Sequence, residues 1–374
     1  MGNSMRIAVD LLWVKHGLVG GIETYILNLL EGLCEIDHTN SYVLIVSEDN
    51  EKIFEKFSDF PNFCIHKCNV LSTHVLSTIL WENLHLDKIV SSLKADFCFV
   101  PYYRKPCFRT KNKYLIVLHD LQALHFPQYF SKAKYLWLKN YWGLCLHTAK
   151  HIIAISKFVK EDIVSSYKID DKKVSVIYNP ILTTRERNNK ETLNKYDLVD
   201  NGYFYTISSL LKHKNLITIL KAISILKKKG LKPKLVITGI KGNSVNEISN
   251  FIVDNDLTKN CIYTGYISDE EKFDLLRGCK TFLFPSIFEG FGMPPIESLM
   301  VGKQVITTKC TCIPEVTENK AIYVDDPSDS NEWAVKMQED YTIAPNTVRM
   351  MREKYSPIKI AADYVSVFKF MFHK

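Results

Sequence analysis

Apolar and polar positions along the chain fall into a two-part rhythm. Short apolar runs of strand length alternate with longer stretches in which apolar residues recur every three or four positions, the period of a helix lying on a core. In the first half, RIAVDLL reads as a strand, and a glycine pair then opens the amphipathic helix GGIETYILNLLEGLCEI. SYVLIVS, ADFCFVP and KYLIVLHD read as further strands. HIIAIS leads into the helix KFVKEDIVSSY with Ser156 placed as its N-cap, and KVSVIYNP closes the series at Asn179-Pro180.

The polar, Asn-rich stretch NPILTTRERNNKETLNKYDLVDNG then breaks the rhythm, which starts again beyond it. YFYTISS, KLVITGI, CIYTGYI, TFLFPSI and KQVITT are strands, with helices predicted at NLITILKAISILKKK, SDEEKFDLLRGC and PPIESLMVG. Strands alternating with helices predict parallel βαβ units. Two such series predict an α/β protein of two facing Rossmann-like domains, each a doubly wound parallel sheet, with a cleft between them. The expected domains are residues 1–180 and 181–355, with a lone amphipathic helix at 356–374 packing back on the first. Open sheets of this kind bind ligands beyond the carboxyl ends of their strands, so the chemistry is sought there.

Bulk properties narrow the picture. A chain of 374 residues is longer than one core usually supports, and 46% apolar with 24% charged residues is ordinary for a globular protein. Ten cysteines without a secretory leader predict a reduced, cytoplasmic protein whose thiols act as small hydrophobes. No apolar run reaches the length of a membrane span. Charge is uneven: from Arg104 to Lys160 there are eleven Lys/Arg and one acid, Asp120, within a net charge of +7. Such a block predicts an anionic partner: a membrane surface, a phosphate-bearing substrate or nucleic acid.

Four stretches carry candidate chemistry. Gly20-Gly21, between a strand and a helix, is either a structural turn or a loop whose N–H groups face a phosphate. It lacks the third glycine and the following acid of a dinucleotide fingerprint. His119-Asp120 ends a strand, so His119 either faces a ligand or is a buried, satisfied histidine, and the latter is the stronger reading for His125 further along. In SSLLKHKNL, Lys214 and Asn215 stand where a helix begins, and Lys214 is either a solvated lysine or a phosphate contact. SIFEGFGMPPIESLMVGK holds Glu289 and Glu297, which as a bare pair fit a hydrolase's acid and base, a metal site or a grip on a polyhydroxylated ligand. Pro294-Pro295 suit a helix's first turn. Glu297 then lies on that helix and Glu289 on the loop before it, beside the N–H groups of Gly290, Phe291 and Gly292, an arrangement suited to a ligand rich in hydroxyls.

Other features read as structure. Asp254-Asn255-Asp256 is a turn rather than a metal site, and Cys310-Thr311-Cys312 lacks a second pair at zinc spacing. SKAKYLWLKNYWGLCLHTAKH interleaves lysines with aromatics that either face the core or meet a membrane. The membrane reading assigns Arg104, Lys105, Lys132, Lys134, Trp137 and Lys139 to an acceptor or anionic lipid surface. No nucleic-acid-binding module is recognisable, so nucleic acid is not expected as a partner.

GGIET, HDLQALHFPQYF, LLKHKNL, FPSIFEGFGMPPIESLMVGKQVITT and IPEV follow one another over nearly the whole chain. In these motifs the chain resembles the retaining GT-B-fold glycosyltransferases of the bacterial group 1 type. That group includes glycogen synthases and the mannosyl- and rhamnosyltransferases of O-antigen and capsule assembly. The resemblance implies metal-independent transfer, without cofactor, of a hexose or deoxyhexose from a nucleotide sugar to a glycan or lipid-linked oligosaccharide. It implies catalytic roles for Glu289, His119 and Lys214, and donor contacts from Gly20, Gly21, Ser209, Asn215, Gly290, Phe291, Gly292 and Glu297. The base is expected near Tyr266-Ile267, and the protein at the inner face of the cell membrane. Ser208-Ser209 stands where many members have Gly-Arg, with Lys212 or His213 as substitute cations. A non-catalytic nucleotide-sugar-binding or scaffold subunit, or a nucleotide-sugar isomerase, is the alternative.

Overall fold

Seven parallel strands form the first sheet: β1 (Arg6–Asp10), β2 (Ser41–Ser47), β3 (Phe63–Cys68), β4 (Phe97–Val100), β5 (Tyr114–Leu118), β6 (His151–Ala154) and β7 (Val174–Val176). This computed structural model describes residues 4–15, 20–107, 110–183 and 190–373. Residues 16–19, ahead of the glycine pair, and 184–189, in the polar joint, lie outside them. The strand order is β3-β2-β1-β4-β5-β6-β7, so the winding reverses between β1 and β4. Every residue of β4, β5 and β6 is buried, which is why these strands read as nearly continuous apolar runs rather than alternating ones. β3 is the strand that the apolar pattern misses: at the sheet edge FCIHKC has only its two ends fully buried.

Helix α1 (Gly21–Ile36) follows β1, α2 (Lys132–Thr148) precedes β6, and α3 (Lys157–Tyr167) follows it. Ser156 caps α3 as expected, its hydroxyl accepting from the Val159 N–H at 3.2 Å.

The second sheet repeats the scheme with β8 (Phe204–Ile207), β9 (Leu235–Thr238), β10 (Cys261–Gly265), β11 (Thr281–Phe284), β12 (Gln304–Thr308) and β13 (Ile322–Val324). Its order is β10-β9-β8-β11-β12-β13, all parallel, and the winding reverses between β8 and β11. Helices α4 (Leu216–Lys228), α5 (Asp269–Gly278) and α6 (Met293–Met300) belong to this half. Leu216, Ile219, Leu220 and Ile223 of α4 pack with Leu235, Ile237, Leu283 and Trp333 into a single buried cluster.

The helix after this half, α7 (Pro357–His373), belongs to the first. The chain divides into two compact units, Met1–Ile181 with Tyr355–Lys374, and Leu182–Lys354. α7 lies along α1, and its Tyr364 hydroxyl meets that of Tyr25 at 2.6 Å. Phe368, fully buried, has its ring 5.6 Å from Phe97 and 5.3 Å from Phe99. The two helices approach so closely that a Cβ at Gly32 would stand 2.3 Å from the Pro357 carbonyl oxygen, so no other residue fits there without displacing backbone.

Candidate functional site

In the second unit the two central strands of the switch point, β8 and β11, each end in a loop that carries a charge. The loop after β8 forms a single turn, Lys212–Lys214, and ends at Asn215 in the left-handed region (φ 51°). Asn215 is held as a joint: its Nδ2 donates to Pro327 O at 2.8 Å, and its Oδ1 accepts from Thr218 Oγ1 at 2.7 Å. The loop after β11 is stitched to this turn. Ile287 N donates to His213 O at 2.9 Å, and Ser286 Oγ does so at 3.3 Å. The result places Lys214 Nζ 2.6 Å from Glu289 Oε1, both side chains largely but not fully buried.

The glycine loop bearing Glu289 is fixed from below by Thr311 and Cys312. Glu289 N donates to Thr311 Oγ1 at 3.1 Å. The buried Cys312 thiol reaches the carbonyls of Glu289 at 3.2 Å and Phe291 at 3.3 Å. The Cys310-Thr311-Cys312 stretch is therefore a brace for this loop. Gly292, at φ 79°, caps α6, where a Cβ would fall 2.7 Å from Ile313 Cδ1. Gly290 and Phe291 are buried beside it.

Glu297 lies in the first turn and a half of α6 and is buried, with a partner that the sequence does not advertise. Lys272 of α5 places its Nζ 3.0 Å from Glu297 Oε1 and 2.9 Å from Asp269 Oδ1. Burial alone would lower the lysine's pKa, but Glu297 and Asp269 outweigh it and hold it above its ordinary value. Within the charged run SDEEK nothing marks this lysine off from a solvated one.

Ser208 and Ser209 directly follow β8, with Ser208 Oγ donating to Ser209 O at 2.8 Å. Lys212 is exposed. His213 does not supply the missing positive charge: burial, aided by the adjacent Lys214 ammonium, lowers its pKa to about 4 and keeps it neutral. Tyr266 is 72% exposed beyond the end of β10, at the sheet edge, with Ile267 half-buried next to it. Asp256 is a turn residue at φ 52° whose carboxylate meets Lys227 at 2.7 Å.

In the first unit, Gly20 and Gly21 are exposed at the head of α1, where Gly20 is the N-cap. His119, just beyond β5, is buried, with its Nε2 3.1 Å from Pro101 O. A carbonyl can only accept, so Nε2 carries the proton. Burial lowers the pKa of His119 to about 4, making it a neutral imidazole at physiological pH. His125 instead faces Asp162, at 2.8 Å.

Two of the proposed surface cations are not on the surface. Arg104 is buried against Glu82, Nη2 to Oε1 2.6 Å, beside the switch-point residue Asp10. Lys105 is buried too, donating to Pro106 O at 2.7 Å with its ammonium over the Tyr114 ring. Neither can touch a membrane, because each charge is spent on interior partners. Lys132, Lys134, Trp137 and Lys139 are exposed on α2, while Trp142 of the same helix faces inward.

The model of the family "Glycosyl transferases group 1" matches residues 188–354, and that of "Glycosyltransferase Family 4" matches 19–185. By both of its halves the chain is a glycosyltransferase. Among curated relatives of this glycosyltransferase, the O-antigen chain mannosyltransferase RfbU of Salmonella typhimurium is 25% identical, over 84% of this chain and 85% of its own. O-antigen chain mannosyltransferase B of Escherichia coli is 27% identical over 56% of each. The crystal structure of Anabaena HepE in complex with UDP and glucose superposes with a TM-score of 0.74 at 16% identity, covering 98% of this chain and 99% of that one. This last likeness bears on the fold, which is GT-B: two α/β units, each with a parallel sheet.

Proposed function

We propose that this glycosyltransferase moves a hexose, with mannose as the first candidate, from a nucleoside-diphosphate donor to a glycan or lipid-linked oligosaccharide of a surface polysaccharide, with retention of configuration. The observation that carries the proposal is the Lys214–Glu289 pair at the β8/β11 switch point. The mannosyl assignment rests on the O-antigen mannosyltransferases among the relatives.

Within the pair each charge neutralises the other. A donor's diphosphate carries more negative charge than one carboxylate and competes for Lys214 Nζ, which frees Glu289 to accept hydrogen bonds from sugar hydroxyls. As the sugar–phosphate bond breaks, charge grows on the departing diphosphate, where Lys214 and the amides at the head of α6 oppose it. This assigns to protein groups the charge neutralisation that a metal ion would otherwise supply. The departing phosphate takes the acceptor's proton, a front-face course that needs no covalent nucleophile. Glu297, held by Lys272, is proposed for the donor's ribose, and Tyr266-Ile267 for its base. Unit 1, with His119, is proposed to take the acceptor. α2, with Lys132, Lys134, Trp137 and Lys139, is proposed to meet an anionic lipid surface on the cytoplasmic side. Among the described residues no helix is long and apolar enough to cross a membrane.

UDP-, GDP- and dTDP-sugars, mannosyl donors first, are screened for thermal stabilisation of the full chain, followed by nucleotide release with acceptor. A ligand at 100 times its dissociation constant adds about 2.7 kcal/mol to stability. Glu289→Ala and Lys214→Ala are expected to abolish turnover, and wild-type rates in both would sink the site. Conversion of the nucleotide sugar to an isomer without acceptor would favour an isomerase.

A further inference from the structure

The loop after β4 brings two distant cysteines together. Cys107 Sγ lies 3.4 Å from Cys145 Sγ, across 38 residues of sequence, and both are free thiols. Cys107 is half-buried at the end of the loop, whereas Cys145 is wholly buried on the inner face of α2. The contact is fixed on both sides. Lys105 O lies 3.3 Å from Cys107 Sγ and accepts from Tyr141 Oη at 3.0 Å, so the carbonyl before the cysteine is tied to α2 four residues ahead of Cys145. Closing the gap to a bonded S–S distance of about 2.05 Å needs a sulfur displacement of order 1 Å.

We infer that Cys107 and Cys145 form a reversible dithiol–disulfide site, oxidised by a peroxide with Cys107 as the attacking sulfur and Cys145 as the resolving one. The Cys107 thiolate attacks one peroxide oxygen, the O–O bond breaks, and the sulfur becomes a sulfenic acid. Cys145 then attacks that sulfur, the S–O bond breaks, and water leaves. In total two thiols and one hydrogen peroxide give one disulfide and two waters, the two electrons passing from sulfur to oxygen. A dithiol reductant reverses the step.

The surroundings select this pair among the ten cysteines. The hydrogen bond from Cys145 lowers the Cys107 pKa to about 7 against the opposing effect of burial, with the buried Lys105 ammonium and Tyr141 adding to the effect. Burial does the reverse to Cys34, Cys68, Cys261 and Cys279, pushing each thiol up to about 12. The bond would pin to α2 the loop whose Pro101 carbonyl holds His119, so oxidation reaches the proposed acceptor side without any group of the donor site.

The test treats the reduced full chain with hydrogen peroxide and maps its peptides without reductant. The expected result is a Cys107–Cys145 cross-linked peptide, loss of two of the ten maleimide-reactive thiols under denaturing conditions, and recovery of both on adding dithiothreitol. Cys145→Ser is expected to leave a dimedone-reactive Cys107 and no cross-link. Alkylation of Cys107 in the wild type should rise through about pH 7. Absence of the cross-linked peptide from peroxide-treated wild type, or its formation only with other cysteines, would overturn the inference, and this readout stands even if Cys145→Ser folds poorly.

Discussion

Lys272 shows how much a single buried charge is worth. With Glu297 4% exposed, removing the ammonium strands a carboxylate in the interior, which costs about 3–5 kcal/mol when a buried pair is broken from one side. Lys272→Met is expected to destabilise unit 2 by about that much in urea titrations, and adding Glu297→Gln should restore most of it. A single variant as stable as wild type would show that the pair is not held as described. Histidines make the opposite argument, through protons. His119 and His213 titrate near 4 in the fold, because burial disfavours their charged forms, and near 6.5 when unfolded. Between those values the unfolded chain binds more protons, so stability is complete above pH 6.5 and falls as pH drops towards 4. The slope is about 1.4 kcal/mol per pH unit for each histidine. Melting temperatures over pH 4–7 should show this, with His213→Asn removing about half of the slope that the two contribute. At this scale the sequence exposed residue types but not partners. Glu289 and Lys214 stand out by motif, yet 75 residues separate them and only the fold shows them paired. Arg104 and Lys105 look like surface cations to a local charge count, because Glu82 lies 22 residues upstream of Arg104 in a stretch with no signal.

Elements were legible where the sequence writes a distinct apolar run. β2 and α3 fall where the apolar pattern puts them, and the central strands differ only at their ends. β3 and β13 escape the pattern: FCIHKC carries His66 and Lys67 with only its two ends fully buried, and β13 is a three-residue stretch at the sheet edge. The glycine of α1 was illegible for another reason: its cause lies more than three hundred residues away, in the Pro357 carbonyl. Gly32→Val is expected to force α1 and α7 apart and to cost about 1–3 kcal/mol, as overpacking does, read by chemical denaturation. An unchanged midpoint would mean that the helices approach less closely than described.

For the whole molecule, the telling fact is that one unit is continuous in sequence and the other is not. Leu182–Lys354 carries its own sheet and core, so this segment alone is expected to unfold cooperatively and to retain nucleotide-sugar binding. Residues 1–181 alone leave Phe97, Phe99 and Tyr25 without the aromatic face of α7, and are expected to be insoluble or molten, with broad thermal transitions. A sharp melt of that fragment would contradict the role given to α7. The same arrangement sets an order during synthesis. Domains generally fold as units while the chain emerges, earlier ones first. Here the strands that leave the ribosome first must wait, with their aromatic flank uncovered, until all of 182–354 has been translated. The unit that begins first is completed last, and every nascent chain passes through a stage in which a chaperone has something to hold.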